Sequence, residues 1–303
     1  MTLRKTWLSR LLAPLALLGL PGCAAGDVAS VPSPPEPSGP ALWKLADEDT
    51  TIYLFGTIHA LPETVQWYDG KIANALDGSQ VLVTEIPANS ASLPGAQASI
   101  AQKALLPEGQ TLRDLLGDAD RATYEAALGR LGLPPASFDP FEPWFAGMIL
   151  AVLPLTQKGY KAESGVEKVV DTHAGPTMER AALESLEAQI DLFDQLPQKA
   201  QIEFLMASAR DLDGLVSAMD EMVAEWVAGD ADDLAVLMNR GLSDPVLAKA
   251  LLYDRNARWA EWIDQRMDQP GQVFVAVGAG HLAGEHSVQT MLEARGFTVT
   301  RVQ

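Results

Sequence analysis

Apolar positions fall into two rhythms along this chain. Near both ends they form short β-type runs: Leu42-Trp43-Lys44-Leu45, Thr51-Ile52-Tyr53-Leu54-Phe55, Val81-Leu82-Val83-Thr84-Glu85-Ile86, Val273-Phe274-Val275-Ala276-Val277 and Phe297-Thr298-Val299-Thr300-Arg301-Val302. Such runs, rich in β-branched and aromatic residues and bounded by turn residues, predict strands. The acidic turn Asp47-Glu48-Asp49 joins the first two into a predicted hairpin. Between the terminal groups, from about residue 96 to about residue 266, the spacing is helical, and prolines at 107, 134, 135, 140, 154, 197 and 245 divide the stretch into several helices. Ser287 to Ala294 reads as a further helix ended by Gly296. The expected fold is α/β: a central mixed sheet formed from both terminal regions, with a large helical insertion.

The first forty residues have a different pattern. Arg4, Lys5 and Arg10 precede an apolar stretch, residues 11–20, that is too short to span a bilayer as a mature helix. It runs into Leu20-Pro21-Gly22-Cys23, and Cys23 is the only cysteine in the chain. Residues 1–22 therefore read as a signal peptide of the bacterial lipoprotein type, with Cys23 lipidated; ordinary cleavage after a small residue such as Ala25 is the alternative. Both export the protein, and a remainder without cysteine suits an oxidising compartment. Residues 24–40 are rich in Pro, Ser and Gly, as in a flexible tether. The globular part begins near Ala41, leaving about 260 residues, enough for one large α/β domain or two small ones.

Charge narrows the partners. The full chain has 22 Lys and Arg against 40 Asp and Glu. Removing residues 1–22 takes away three basic residues and no acidic one, so the mature balance is more negative still. So acidic a surface argues against nucleic acid and against adhesion to anionic lipid, so the expected membrane contact is the lipid anchor alone.

Candidate chemistry comes from a pattern that occurs twice. The run ending at Phe55 continues into Gly56-Thr57-Ile58-His59, and the run ending at Val277 continues into Gly278-Ala279-Gly280-His281. The chain has only four histidines, and two of them hold equivalent places. Gly56 and Gly278 are expected to let the backbone turn sharply, and strand ends of an open α/β sheet are where ligands bind. Glu85 ends a third apolar run, where a carboxylate is costly unless it is paired, ligating or at the rim. His59, His281 and Glu85 together make a two-histidine, one-carboxylate set that can hold a divalent ion with open positions. The plainer reading of Glu85 is a helix cap or a partner for a surface lysine.

Arg255 falls with Leu251, Leu252, Trp259 and Trp262 on one helical face, so it points into an apolar stripe and needs an anionic partner. Glu85 and a reaction oxyanion are two candidates; a structural ion pair with another carboxylate is a third. Arg258 lies at the edge of the stripe. His173 reads as a surface or packing histidine and His286 as solvent-exposed. Trp144, Trp226, Trp259 and Trp262 read as core. There is no Walker A loop, no His-Glu-x-x-His helix and no Gly-x-Ser-x-Gly elbow, so serine and cysteine nucleophile schemes have little support.

These residues resemble the TraB/GumN family, which includes the Tiki and PrgY proteins. The resemblance runs through Leu42-Trp43, Leu54-Phe55-Gly56-Thr57-Ile58-His59-Ala60-Leu61-Pro62, Leu106-Pro107-Glu108-Gly109-Gln110-Thr111-Leu112, Pro143-Trp144-Phe145 and Gly165-Val166-Glu167. It continues through Leu183-Glu184-Ser185-Leu186-Glu187-Ala188-Gln189, Arg255-Asn256 and Gly278-Ala279-Gly280-His281-Leu282-Ala283-Gly284. Glu167 stands where relatives usually carry an aspartate, and His286-Ser287 where Asp-Gly is common. The resemblance implies a fold of the Tiki, erythromycin-esterase and ChaN type. It gives His59 and His281 metal-site roles, Glu85 that of the essential carboxylate, and Arg255 a supporting one.

The expected function is a metal-dependent hydrolase using Mn, Co or Zn, a metalloprotease acting on exported peptides or proteins. Two alternatives stay open: a haem- or metal-binding lipoprotein without turnover, as in ChaN-type relatives, and a peptide-sequestering protein.

Overall fold

The computed structural model describes residues 39–303, apart from residue 89 and residues 242–244. Cys23, the predicted signal segment and most of the predicted tether lie outside the described residues. The strands are β1 (Leu42–Ala46), β2 (Thr50–Thr57), β3 (Leu61–Pro62), β4 (Val81–Thr84), β5 (Tyr160–Lys161), β6 (Glu179–Ala182), β7 (Gly271–Gly278) and β8 (Thr300–Arg301). Six of them form one mixed sheet in the order β6-β4-β7-β2-β1-β8. The inner strands β4, β7 and β2, with β6 at the edge, run parallel, while β1 is antiparallel to β2 and β8 to β1. The predicted hairpin and the meeting of both terminal regions in one sheet are thus present.

The inner strands β4, β7 and β2 are largely buried on both faces, which is why their sequences are nearly continuous apolar runs rather than alternating ones. Along β7, Val273, Val275 and Val277 face one layer, where they pack with Ile52 and Leu54 of β2 against Trp259, Ile263 and Met267 of the helix Asp254–Met267. Phe274 and Ala276 face the other layer, with Phe55, Ile72 and Leu76 of the helix Gly70–Asp77, and Val166 and Val170 of the helix Val166–His173. The sheet is therefore the middle of three layers.

The insertion is helical as expected, but it also contributes strands. β6 joins the central sheet beside β4, and β5 pairs with β3 in a two-stranded sheet. The sequence of β6, Glu179-Arg180-Ala181-Ala182, has no β-branched or aromatic residue. It pairs on one side only, so edge position rather than propensity makes it a strand. The predicted terminal strand is shorter than its apolar run: only Thr300 and Arg301 pair, with Lys44 and Trp43. Part of the insertion has its own core, in which Tyr124, Leu128, Leu150, Leu205 and Met206 are buried together.

Just before the helix Asp254–Met267, the chain makes a π-helical stretch over Lys249–Tyr253. No helix of the described residues is long and apolar enough to cross a membrane.

Candidate functional site

The site lies at the carboxyl ends of the parallel strands, where an open α/β sheet presents its ligand-binding edge. β2 and β7 pair end to end, and their glycine motifs are offset by one residue: Gly56 pairs with Val277 and Thr57 with Gly278. β4 stops at Thr84, opposite Ala276, so Glu85 emerges beside Gly278. His59 follows the end of β2, and His281 lies in the short 3-10 turn Ala279–Leu282 that follows β7.

The two motif glycines supply space rather than a turn. Gly56 lies within β2, and a Cβ on it would come within 3.1 Å of the Ala279 backbone. Gly278 has φ −48°, an ordinary value for any residue. A Cβ on Gly278 would lie 3.0 Å from Glu85 Oε1, 3.6 Å from His281 Cδ2 and 4.0 Å from His59 Nε2. All three predicted ligands therefore surround this one glycine, and the two rings approach within the sum of 3.6 and 4.0 Å.

Glu85 is buried and fully engaged. Oε1 accepts the Gly278 N–H at 2.7 Å, and Oε2 accepts from Gln189 Nε2 at 2.7 Å and from Arg255 Nη2 at 2.6 Å. Burial works against its charge, but the facing His281, the Arg255 guanidinium, His59 and the Gly278 N–H outweigh it and hold the carboxyl at about 2. Arg255 also donates through Nε to Glu184 and through Nη1 to the Leu251 carbonyl, and it lies over the Trp259 ring at 4.7 Å. Arg255 thus joins two buried carboxylates: both Glu85 and a structural ion pair to another acid. Arg258 also reaches Glu184 from its exposed position.

His281 is buried. Its ring packs on Trp259, Nδ1 lies 2.5 Å from Asn256 Oδ1, and Nε2 lies 2.9 Å from Arg255 Nη1 and 3.7 Å from Glu85 Oε1. Burial pushes its pKa down to about 3 against the attraction of Glu85. His59 is the opposite case, with a side chain 75% exposed. Its Nδ1 lies 2.6 Å from Glu167 Oε1, which also accepts from Thr57 Oγ1 at 2.5 Å. The Glu167 carboxylate raises the His59 pKa to about 9. Glu167 reaches it because the helix Val166–His173 begins against the His59 corner. The Val166 N–H donates to the Ile58 carbonyl, and a Cβ on Gly165 would collide with the His59 carbonyl.

As a trio, the ligand atoms of His59, Glu85 and His281 are not all within 4.8 Å of one another. Among the described residues only Glu225, Asp230 and Asp233 meet that spacing, and they lie elsewhere, in a partly exposed acidic group. Glu85 Oε1 and His281 Nε2 are the close pair, 3.7 Å apart, while His59 stands out toward solvent on Glu167. A cleft of about 280 Å3 opens on this rim, bounded by His59, Glu85, Pro87, Glu167, Lys168 and Gln189. The remaining histidines are where the sequence suggested. His173 is exposed and stacks on Tyr68, while His286 is exposed and stacks on Tyr253, with only its carbonyl, bound by Asn256, touching the site.

Sequence reasoning left Glu184, Gln189, Asn256 and Thr57 without roles and treated Glu167 only as a departure. Glu184 had a usable signal, a lone acid directly after the apolar Ala181-Ala182-Leu183 and directly before the helix-capping Ser185.

Sheet and rim together define an α/β protein with a histidine at two parallel strand ends and a buried carboxylate–guanidinium pair between them. A family model described as "TraB/PrgY/gumN family" matches residues 41–301, and the chain belongs to that family. Among curated proteins it is similar to "Uncharacterized protein YbaP" of Escherichia coli (strain K12). They are 23% identical over 244 residues, covering 79% of this chain and 87% of that protein. It is also similar to "Uncharacterized protein" of Treponema pallidum (strain Nichols), at 22% over 269 residues, covering 84% of this chain and 80% of that protein. No solved structure gives a significant match.

Proposed function

We propose that this chain is a metal-dependent hydrolase of peptide bonds in which His59, His281 and Glu85 hold one divalent ion, Mn, Co or Zn. One observation carries the reading: two imidazoles and a buried carboxylate surround Gly278 at the rim, and each imidazole has its Nδ1 committed to a neighbour. Metal-binding histidines characteristically hand their second nitrogen to a carboxylate or carbonyl oxygen in this way. The donor set, imidazole nitrogen and carboxylate oxygen, suits these ions. When bound, the ion would polarise a carbonyl and activate water.

The protein groups divide the remaining work. Glu85 offers Oε1 to the site while Oε2 stays anchored by Gln189 and Arg255. Arg255 Nη1 has to leave His281 Nε2 before that nitrogen can ligate. Its Nε remains held by Glu184, so the freed N–H stays at the rim and can hydrogen-bond a developing oxyanion. The open cleft, lined by Ile86, Pro87 and Ala88 together with Lys168 and Asp171, suits a peptide segment. The pattern around Cys23, read as a lipoprotein signal, supports action outside the cytoplasm, at a membrane surface.

Metal analysis of the purified protein, paired with digestion of a peptide library, tests the reading. Stoichiometric Mn, Co or Zn and cleavage are expected, both lost in His59→Ala and in His281→Ala. Stoichiometric metal or haem without cleavage would favour the binding-protein alternative. Metal content unchanged in both variants would remove the site altogether.

A further inference from the structure

Asn256 makes two hydrogen bonds whose polarity can be read without seeing a proton. Its Nδ2 lies 2.7 Å from the His286 carbonyl and 3.4 Å from the His281 carbonyl, and carbonyls only accept. The amide nitrogen must therefore be on that side, which fixes Oδ1 against His281 Nδ1 at 2.5 Å. An amide oxygen also only accepts, so Nδ1 carries the proton. The other end of the ring agrees independently. Arg255 Nη1, 2.9 Å from Nε2, only donates, so Nε2 must present its lone pair.

The opposing influence is Glu85. Its Oε1 lies 3.7 Å from Nε2, and an ionised carboxylate would favour a proton on that nitrogen. Which tautomer His281 adopts is thus a contest between Asn256 with Arg255 on one side and Glu85 on the other. Asn256 is the fixed member, being almost fully buried and locked by a main-chain carbonyl.

We propose that Asn256 is a positioning residue that locks His281 as the Nδ1–H tautomer, keeping the Nε2 lone pair turned toward Glu85 and Arg255. That this lone pair serves to bind an ion rests on the function proposed above; the lock itself does not. Without Asn256, Arg255 alone opposes Glu85, and the proton is expected to shift to Nε2, where the nitrogen cannot ligate until it is lost.

The test is a long-range 1H–15N spectrum of the full chain labelled with 15N-histidine and kept free of metal, with the His281 signals assigned by their loss in His281→Gln. A protonated Nδ1 and a bare Nε2 are expected in the wild type and in Asn256→Asp, which keeps an acceptor in place. In Asn256→Leu the proton is expected on Nε2, and zinc affinity should fall about 10- to 100-fold, as for loss of a ligand's hydrogen-bonding partner. An Nε2–H tautomer in the wild type, or an unchanged tautomer in Asn256→Leu, overturns the proposal. If Asn256→Leu does not fold, the wild type and Asn256→Asp decide it. Asn256→Asp converting to Nε2–H would refute it and retention would support it. A locked tautomer in a wild type that binds none of zinc, cobalt and manganese would leave the lock standing and refute the metal reading.

Discussion

The two Gly-x-x-His corners begin alike and end differently. Both follow parallel strands that are neighbours in the sheet, and both put an imidazole on the same rim. Yet His281 is sealed against Trp259 and bound at both nitrogens, whereas His59 is open to solvent and anchored at one. Their surroundings drive their pKa values apart: burial takes His281 down to about 3, and the Glu167 carboxylate takes His59 up to about 9. The strand pattern fixes where a side chain emerges; what a helix from elsewhere brings to it decides its chemistry. One corner is buried and held at both ring nitrogens, the other exposed and held at one.

The hardest blow to the buried corner is Arg255→Met. It leaves Glu85 and Glu184 buried without their shared cation, and breaking such a pair costs about 3–5 kcal/mol. Denaturant unfolding should show that loss; a change under about 1 kcal/mol would mean the network is not held together by the guanidinium.

Next comes a direct contrast. His281→Ala strands the Asn256 oxygen and an Arg255 N–H in the interior, at about 1–3 kcal/mol. His59→Ala at the exposed corner should stay within about 0.5 kcal/mol. Equal losses in the two variants would erase the distinction drawn here.

The finest test is pH. The folded pKa of His281 is depressed, so below about 6.5 the unfolded chain binds a proton that the folded one refuses. Stability of the metal-free protein should therefore fall by up to about 1.4 kcal/mol per pH unit from 6.5 toward 5, and less so in His281→Gln. The folded pKa of His59 is raised, so its contribution is complete below 6.5 and disappears as pH rises through about 9. Water around the exposed ring screens the Glu167 attraction, so this alkaline limb should be the shallower one. Matching slopes on the two sides would show that burial does not separate the corners.

What was legible in the sequence followed from periodicity. β2 and β7 were visible as apolar runs because they are buried on both faces, and the paired motif at their ends pointed to one rim. Glu85 was visible because a carboxylate closing such a run needs a reason. β6 was not, since a short edge strand of polar and small residues has no alternation to detect. Glu184, Gln189 and Asn256 were quoted as part of a resemblance but looked like the polar residues of any helix start or surface. Their roles depend on which helices fold over the rim, and local spacing contains nothing about that. Arg255 stood between: its apolar face announced a need for an anion, but only the fold shows that two carboxylates answer it.

The π-helical stretch Lys249–Tyr253 adds one consequence of its own. A π turn holds one residue more than an α turn, and one residue is about 100° of rotation in an α-helix. It works as a phase shift. Leu247 and Ala248 before it, and Arg255, Asn256 and Trp259 after it, are all buried. The stretch leads directly into the helix that holds Arg255 and Asn256, so a one-residue deletion there would turn what precedes the site by about 100° without altering any group that belongs to it.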